Sequence, residues 1–387
     1  MAGISIPTSA QFVVKITKFC NLRCTYCYEY SELSIKQRMQ LSDLRRLFMN
    51  IAAQASENSF SSISFIWHGG EPFPIPIHYY HEIQAMQEEI LNHKVRYSNA
   101  VQTNLTVLTE RHMELIGQDR FFKSLGVSFD VLGNQRVDKH ARLRTGVITT
   151  NMQKLLQANV SFGAIVVLAR NTLPFVERIY RYYDSLGITM RFLPFYRQAY
   201  DWQSSQHALS FDELTVAFKT LLDTWLTSER ATPVEPIGEY LDYAIAYLTD
   251  ASKHFYDRLK AERVFIVNID GGVWGIGEAY DSDACYGNLF KHDLGSMLAS
   301  PNRNRVSVAS SERMAKYCGN CPYFGYCPGF FVGNATREQQ KVLAEDGCPV
   351  RIVIGHIIER LRVGGLQTRL SAAVGQRRFN EALQVTL

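Results

Sequence analysis

No cysteine occurs between Cys27 and Cys285, although the chain of 387 residues carries eight. No uncharged apolar run reaches the ~18 residues that cross a bilayer, which excludes a transmembrane helix. No basic segment followed by an apolar stretch opens the chain, so no secretory signal is read there. Charge of one sign is not in excess either. Forty-one Lys and Arg against 37 Asp and Glu leave a formal +4, with the two signs interspersed. That balance argues against nucleic-acid and membrane-surface partners. Internal repeats and low-complexity segments are lacking as well. Without an export signal, eight cysteines do not read as a disulfide framework, and a reducing cytoplasm is the expected compartment. A composition of 46% hydrophobic and 20% charged residues is that of a globular protein with a sizeable core, long enough for one large domain and a smaller one.

The cysteines form two islands. The first is Cys20, Cys24 and Cys27, with three and then two residues between them. A redox disulfide needs two thiols, and a four-thiolate zinc site needs a fourth ligand close by. Three thiolates on one tight loop instead suit a 4Fe–4S cluster with one iron left open. The second island holds Cys285, Cys318, Cys321, Cys327 and Cys348. Two islands point to two metal sites rather than to scattered buried thiols.

Apolar, β-branched runs alternate with amphipathic segments up to about residue 195. Phe12–Thr17, Ile63–Trp67, Tyr97–Thr103, Ser124–Phe129, Phe162–Leu168 and Met190–Phe195 read as six buried strands. Between them, Leu44, Leu47, Phe48 and Ile51 recur at helical spacing after Ser42, the expected N-cap. Tyr79, Ile83, Met86 and Ile90 mark a second helix. Continuous apolar strands alternating with helices imply a parallel sheet covered by helices, and six such units make a partial (β/α)6 TIM-like barrel. Residues 196 to about 260 read as helices, one opened by a capping box at Ser210 and Glu213. A hairpin is expected over Val264–Ile269 and Val273–Trp274, about Asp270-Gly271-Gly272. A Cys-, Pro- and Gly-rich loop and a last helix after Pro349 follow. The expected division is 1–200 for the barrel, 201–260 for bridging helices and 261–387 for a cysteine-bearing module.

In a parallel α/β barrel the C-terminal strand ends form the active face, and several carry unusual residues here. Strand two runs into His68-Gly69-Gly70-Glu71-Pro72. The glycines let a ligand approach the backbone, and the Glu71 carboxylate can receive an ammonium group. Strand three ends in Gln102-Thr103-Asn104, strand four in Ser128-Phe129-Asp130, and Asp138, Arg142 and Arg144 follow. Read blandly, each polar residue caps a strand or joins a surface salt bridge.

On the cysteine triple, with Tyr26 before its third member, and on these strand ends, the chain resembles the radical S-adenosylmethionine (SAM) enzymes. The resemblance covers about residues 12–350 and is strongest to the peptide-modifying branch. It implies that the open iron of the Cys20/Cys24/Cys27 cluster is chelated by the amino and carboxylate groups of SAM. It further implies that Gly69, Gly70, Glu71 and Pro72 hold the SAM amino group, and that Gln102, Asn104, Ser128 and Asp130 face SAM and substrate. The glycine expected after Asp130 is displaced to Gly133. An arginine there can pair with the SAM carboxylate bidentately, and the choice between Arg142 and Arg144 stays open. The implied chemistry is one-electron reduction of SAM by way of an external reductant, release of a 5′-deoxyadenosyl radical and hydrogen abstraction from an unactivated carbon.

Cys318, Cys321, Cys327 and Cys348 are similar to the ligand set of the outer auxiliary 4Fe–4S cluster in the SPASM (twitch-type) extension. Further cysteines of an inner cluster would be expected near Gly275 and at Phe331, and they are missing. One auxiliary cluster is therefore expected, with a structural zinc at the same four thiolates as the competitor. Cys285 reads as a buried thiol, a mixed ligand or a substrate contact. Asp281 and Asp283 are candidates for a base. The implied activity is maturation of a ribosomal precursor peptide, with an intrapeptide crosslink such as a C–C cyclophane. The alternatives are an anaerobic sulfatase maturase making formylglycine and, from another class, a non-catalytic metal-binding interaction protein. Few residues flank the cysteine islands, so leader recognition is expected to use the barrel, the bridging helices or a separate partner protein.

Overall fold

The computed structural model describes residues 9–55, 61–195 and 206–362. Strands β1 (Ser9–Thr17), β2 (Ser62–Gly69), β3 (Arg96–Thr103), β4 (Phe122–Ser128), β5 (Gly163–Leu168) and β6 (Met190–Pro194) alternate with helices. These are α1 (Leu41–Ala55), α2 (Ile77–Leu91), the short α3 (Glu110–Glu114), α4 (Thr145–Gln157) and α5 (Val176–Leu186). The six strands pair in parallel and in sequence order, as their near-continuous apolar character predicts. The part of the helical reading that falls on residues 196–205 lies outside the described residues. Beyond it come α6 (Phe211–Thr227), β7 (Val234–Glu235) and α7 (Ile237–Leu248). The Ser210–Glu213 capping box opens α6 with both reciprocal bonds in place, at 3.2 and 2.8 Å.

Period-two alternation decides which side chains enter the lumen. Phe12, Phe65 and Trp67 stack on one another, and Phe48 of α1 meets Phe65 and Trp67 edge-on, so these positions face the helices. Their neighbours Lys15 and His68, paired in register across β1 and β2, sit on the opposite, inner face. Helix α1 begins at Leu41, ahead of Ser42. The Gln40 carbonyl accepts the first two bonds, from Asp43 and Leu44, which puts the expected cap inside the first turn.

The hairpin does not stand apart from the barrel. After α8 (Arg258–Ala261), β8 (Val264–Val267) pairs in parallel with β1, and β9 (Gly272–Trp274) pairs antiparallel with β8. With β10 (Gly287–Asn288) they extend one sheet of ten strands, ordered β10-β9-β8-β1-β2-β3-β4-β5-β6-β7. No break in the sheet marks residue 261. The remaining chain forms α9 (Leu294–Leu298), α10 (Pro301–Cys318), α11 (Phe330–Gly333), α12 (Arg337–Glu345) and α13 (Pro349–Arg362). A small second core of Tyr256, Met314, Cys318, Val332, Ala335 and Leu343 holds this group together, and α13 packs on α6 and α7. Among the described residues no helix is long and apolar enough to cross a membrane.

Candidate functional site

The first cysteine island follows β1 on a loop made of short turns. Cys20 N–H donates to the Leu33 carbonyl at 3.0 Å, Cys27 N–H to the Cys24 carbonyl at 3.0 Å and Tyr30 N–H to the Cys27 carbonyl at 3.2 Å. Cys20 and Cys24 are buried, Cys27 is half-buried, and all three thiols are free. Burial pushes all three thiols up, Cys27 to about 12. Nearby charges refine this: Glu71 adds to the rise at Cys20, and Arg136 works against it at Cys24. Buried neutral thiols become ligands when a bound cation outweighs the desolvation cost. Three cysteines on one turn-rich loop, with Glu29 bonded to Lys15, are the donor set of a cluster with one open iron, although among the described residues no three His, Cys, Asp or Glu side chains are arranged to hold a metal ion.

The glycines at the end of β2 serve a different contact from the one expected. A Cβ at Gly69 would lie 2.3 Å from the Thr17 carbonyl oxygen, and one at Gly70 would lie 2.4 and 2.5 Å from those of Phe19 and Lys18. Gly69 also has φ +138°. The close approach is therefore to the chain's own backbone where it enters the cysteine loop. Gly70 N–H and Glu71 N–H complete it by donating to Thr17 and Phe19 carbonyls at 2.9 and 2.8 Å. Pro72 turns the chain away, its carbonyl accepting from Tyr80 O–H at 2.7 Å.

Glu71 is 1% exposed and accepts three internal hydrogen bonds, from Thr103 O–H at 2.6 Å, Asn104 N–H at 2.6 Å and Phe73 N–H at 3.1 Å. These bonds favour the ionised form, but burial outweighs them and pushes the carboxyl from 4.5 to about 7. The folded state thus holds a proton that the unfolded chain releases at lower pH. Stability associated with Glu71 is full below pH 4.5 and falls as pH rises to about 7. At about 1.4 kcal/mol per pKa unit, the loss is roughly 3 kcal/mol. Denaturant midpoints measured from pH 4.5 to 7.5 are expected to decline in the wild type, and to decline less in Glu71→Gln.

The ends of β3 and β4 converge on the same mouth. Gln102 Nε2 donates to Ser128 Oγ at 2.6 Å, and a Cβ at Gly126 would overlap Gln102 Oε1 at 2.0 Å. Asn104 Nδ2 donates to Asn21 at 3.0 Å and approaches Cys20 Sγ at 3.7 Å. Asp130, 1% exposed, accepts from Tyr26 O–H at 2.6 Å. So Tyr26, Gly69, Gly70, Glu71, Gln102, Asn104, Ser128 and Asp130 lie together around the cysteine loop.

Arg142 and Arg144 do not join them. Both pair with Asp138, at 3.0 and 3.9 Å, with side chains 68% and 34% exposed. Asp138 also accepts the amides of His140 and Arg142 at 2.8 and 3.1 Å, so this trio builds a turn. The buried guanidinium at the mouth belongs to Arg136, which pairs with Asp130 at 2.9 Å. Sequence reasoning missed it. Its signal is its place two residues before Asp138, in the stretch that runs from Asp130 into the turn. A second overlooked pair is Lys15 with Glu29, where the ammonium lies 4.1 Å from the Tyr280 ring. Tyr280 stacks on Tyr28, centroids 6.4 Å apart, so the hairpin region docks directly on the barrel mouth.

In the second island, Cys318, Cys321, Cys327 and Cys348 line one cavity of about 100 Å³ together with Tyr323 and Phe331. A single ion needs no more room than one water, roughly 10–15 Å³ on the same measure, so the cavity is larger than one ion requires. Cys318 closes α10 and Cys348 immediately precedes α13. Burial pushes the Cys318 and Cys327 thiols up to about 12. Cys285 is not in this lining; its Sγ–H donates to the Gly287 carbonyl at 3.3 Å. Asp281 caps the turn at Ser282–Ala284 and pairs with Arg337 at 3.3 Å. Asp283 is exposed, its carbonyl bonded by Arg305.

Gly275 lies against a buried ionic network. A Cβ there would meet Glu262 Oε1 at 2.0 Å, Arg258 Nη2 at 2.4 Å and Tyr286 Oη at 2.6 Å. Glu262 accepts from Arg258 Nε, Arg303 Nε and Tyr286 O–H at 3.0, 3.0 and 2.9 Å.

An open parallel barrel with three thiols and a ring of buried polar groups at its C-terminal mouth defines a cluster-bearing α/β enzyme. Residues 14–179 match the Radical SAM superfamily model. Over 315 residues the chain is 22% identical to a cysteine-type anaerobic sulfatase-maturating enzyme of Clostridium novyi, covering 80% of this chain and 83% of that one. Among solved structures it is similar to native anSMEcpe with bound AdoMet (TM-score 0.73, 17% identity, 91% of this chain and 98% of that one). It is also similar to Streptococcus suis SuiB bound to its precursor peptide SuiA (TM-score 0.56, 13% identity, 89% and 74%). Residues 14–179 thus form a radical SAM domain, the mark of an enzyme superfamily that uses a 4Fe–4S cluster and SAM, and the relatives include anaerobic sulfatase-maturating enzymes.

Proposed function

We propose that this enzyme modifies a peptide by removing hydrogen from a side-chain carbon and closing an intrapeptide crosslink. Cys20, Cys24 and Cys27 would hold the SAM-binding cluster, and Cys318, Cys321, Cys327 and Cys348 an auxiliary one. When bound and reduced, the cluster with SAM supplies a 5′-deoxyadenosyl radical able to take hydrogen from an unactivated carbon. The chain's own part is to position and to exclude water. The Gly69–Pro72 turn fixes the floor of the SAM site against the cysteine loop, and Gln102, Asn104 and Ser128 offer polar groups to SAM and substrate. Tyr28, Tyr280 and the Lys15–Glu29 pair cover the mouth. Asp281 is occupied by its capping bond and by Arg337, so no base is assigned to it or to the exposed Asp283. A low-potential one-electron donor from outside the chain supplies the electron, and a separate leader-recognition protein remains compatible with this reading.

One observation supports this reading by weighing against formylglycine formation. The surroundings of Gly275 are filled by Glu262, Arg258 and Tyr286, and Phe331 stands where a second inner-cluster cysteine is expected. A module built for one auxiliary cluster departs from the pattern expected of sulfatase maturases. The 22% identity to the Clostridium novyi enzyme favours the second reading, formation of formylglycine. Anaerobic turnover with SAM, dithionite and peptides bearing aromatic and cysteine residues separates the two. Loss of two hydrogens with 5′-deoxyadenosine release is the expected result. Conversion of a cysteine side chain to an aldehyde would replace it with the maturase reading, and no 5′-deoxyadenosine would overturn both.

A further inference from the structure

Segment 135–138 runs antiparallel along the cysteine loop. Arg23 N–H donates to the Val137 carbonyl at 2.7 Å, Thr25 N–H to the Gln135 carbonyl at 3.3 Å, and Leu22 bridges Asp138. Between these bonds the Arg136 side chain turns inward and is 8% exposed. Asp130 takes two of its nitrogens, Nε at 2.9 Å and Nη2 at 3.4 Å. Asp130 is itself fixed by Tyr26 O–H at 2.6 Å and Val167 N–H at 2.8 Å. The remaining nitrogen, Nη1, points at Cys24 Sγ, 3.7 Å away, while the guanidinium lies 5.4 Å from the Tyr26 ring centroid. Tyr26 is also the residue before the third cysteine. A buried ion pair adds little stability over an apolar pair of the same volume, so packing alone does not account for charges placed here.

We propose that Arg136 sets the reduction potential of the Cys20/Cys24/Cys27 cluster by donating Nη1–H to the Cys24 sulfur, with Asp130 limiting its charge. The inference rests on the assignment of that cluster in the preceding section. Arg136 acts through Cys24 and is a positioning residue. On reduction the cluster accepts one electron and no proton, so its charge becomes more negative by one. A hydrogen-bond donor and a positive charge at a ligating sulfur favour the reduced state and raise the potential. Asp130 opposes this because its carboxylate neutralises most of the guanidinium's field.

The test is a dithionite titration of the anaerobically reconstituted protein without SAM, followed by electron paramagnetic resonance. Wild type is compared with Asp130→Asn, Arg136→Lys and the double variant Arg136→Met with Asp130→Asn. The double variant keeps the local net charge and removes the donor. Its one-electron reduction constant is expected to fall about tenfold, which is ~59 mV. Asp130→Asn alone leaves the guanidinium unopposed and is expected to shift the potential upward. Arg136→Lys, which keeps the charge but not the aimed N–H, should fall between wild type and the double variant. Shifts of the same sign in Asp130→Asn and the double variant, or a change below about twofold in both, would overturn the proposal. So would a loss of SAM affinity at unchanged potential, which would make Arg136 a SAM ligand. Iron and sulfide counts keep the two levels apart: absence of iron at the three cysteines in wild type defeats the cluster assignment itself. If the double variant alone fails to load, the opposite shifts of Asp130→Asn and Arg136→Lys decide.

Discussion

Replacing Cys20, Cys24 and Cys27 together by alanine is expected to lower iron from about eight to about four per chain, one 4Fe–4S cluster of two, and to abolish SAM cleavage. The effect is expected to be complete because no thiol remains in the loop and its acidic side chains are engaged, Glu29 by Lys15 and Glu32 by Lys18. The fold is expected to survive. The three side chains lie on a loop after β1, outside the Phe12, Phe65, Trp67 and Phe48 stack that joins the sheet to α1. Iron and sulfide analysis with far-UV circular dichroism checks both halves. The complementary replacement of Cys318, Cys321, Cys327 and Cys348 should remove the other four irons and leave the SAM cluster's spectrum. About twelve irons in the wild type would mean that Cys285 recruits other ligands to an inner cluster, and would favour the sulfatase-maturase reading. An unchanged iron content in the triple variant would defeat the assignment of the first island.

The strands were legible because each is an apolar run bounded by turn residues, and their C-terminal ends carried the chemistry that a parallel barrel predicts. Gly69 and Gly70 illustrate what sequence does not reveal. The pair signals a close approach, but only coordinates identify the partner as the Thr17–Phe19 backbone. Arg136 was hidden for a related reason. Three arginines lie within nine residues of one another, and which of them turns inward depends on the antiparallel bonding of 135–138 to the cysteine loop. The pairing of β8 with β1 is non-local as well. A four-residue strand at Val264–Val267 has no periodicity that could name its neighbour. The ionic network likewise joins Arg258, Glu262, Tyr286 and Arg303, residues whose proximity no spacing rule announces.

That network supports the second large effect. Glu262→Gln is expected to destabilise the protein by about 3–5 kcal/mol, the cost of breaking a buried ion pair by removing one partner. Glu262 is 5% exposed and serves two arginines whose side chains are both 0% exposed. Burial alone works against the charge of Arg258; Tyr286, Glu262 and Glu278 more than reverse this and raise its pKa. Without the Glu262 charge, Glu278, which pairs with Arg258 at 2.8 Å and Arg313 at 3.3 Å, would be the one carboxylate left among three arginines in this network. A glutamine amide would also turn an N–H toward a guanidinium or the Tyr286 hydroxyl. Urea unfolding gives the measurement, and a change below about 1 kcal/mol would mean that water already reaches Arg258 and Arg303. The same variant bears on the chemistry. If this network stands where an inner cluster would otherwise sit, Glu262→Gln should leave iron content unchanged, since removing a charge creates neither room beside Gly275 nor a thiolate. A rise in bound iron would instead mean that the site next to Gly275 is a cluster site which the carboxylate helps to form.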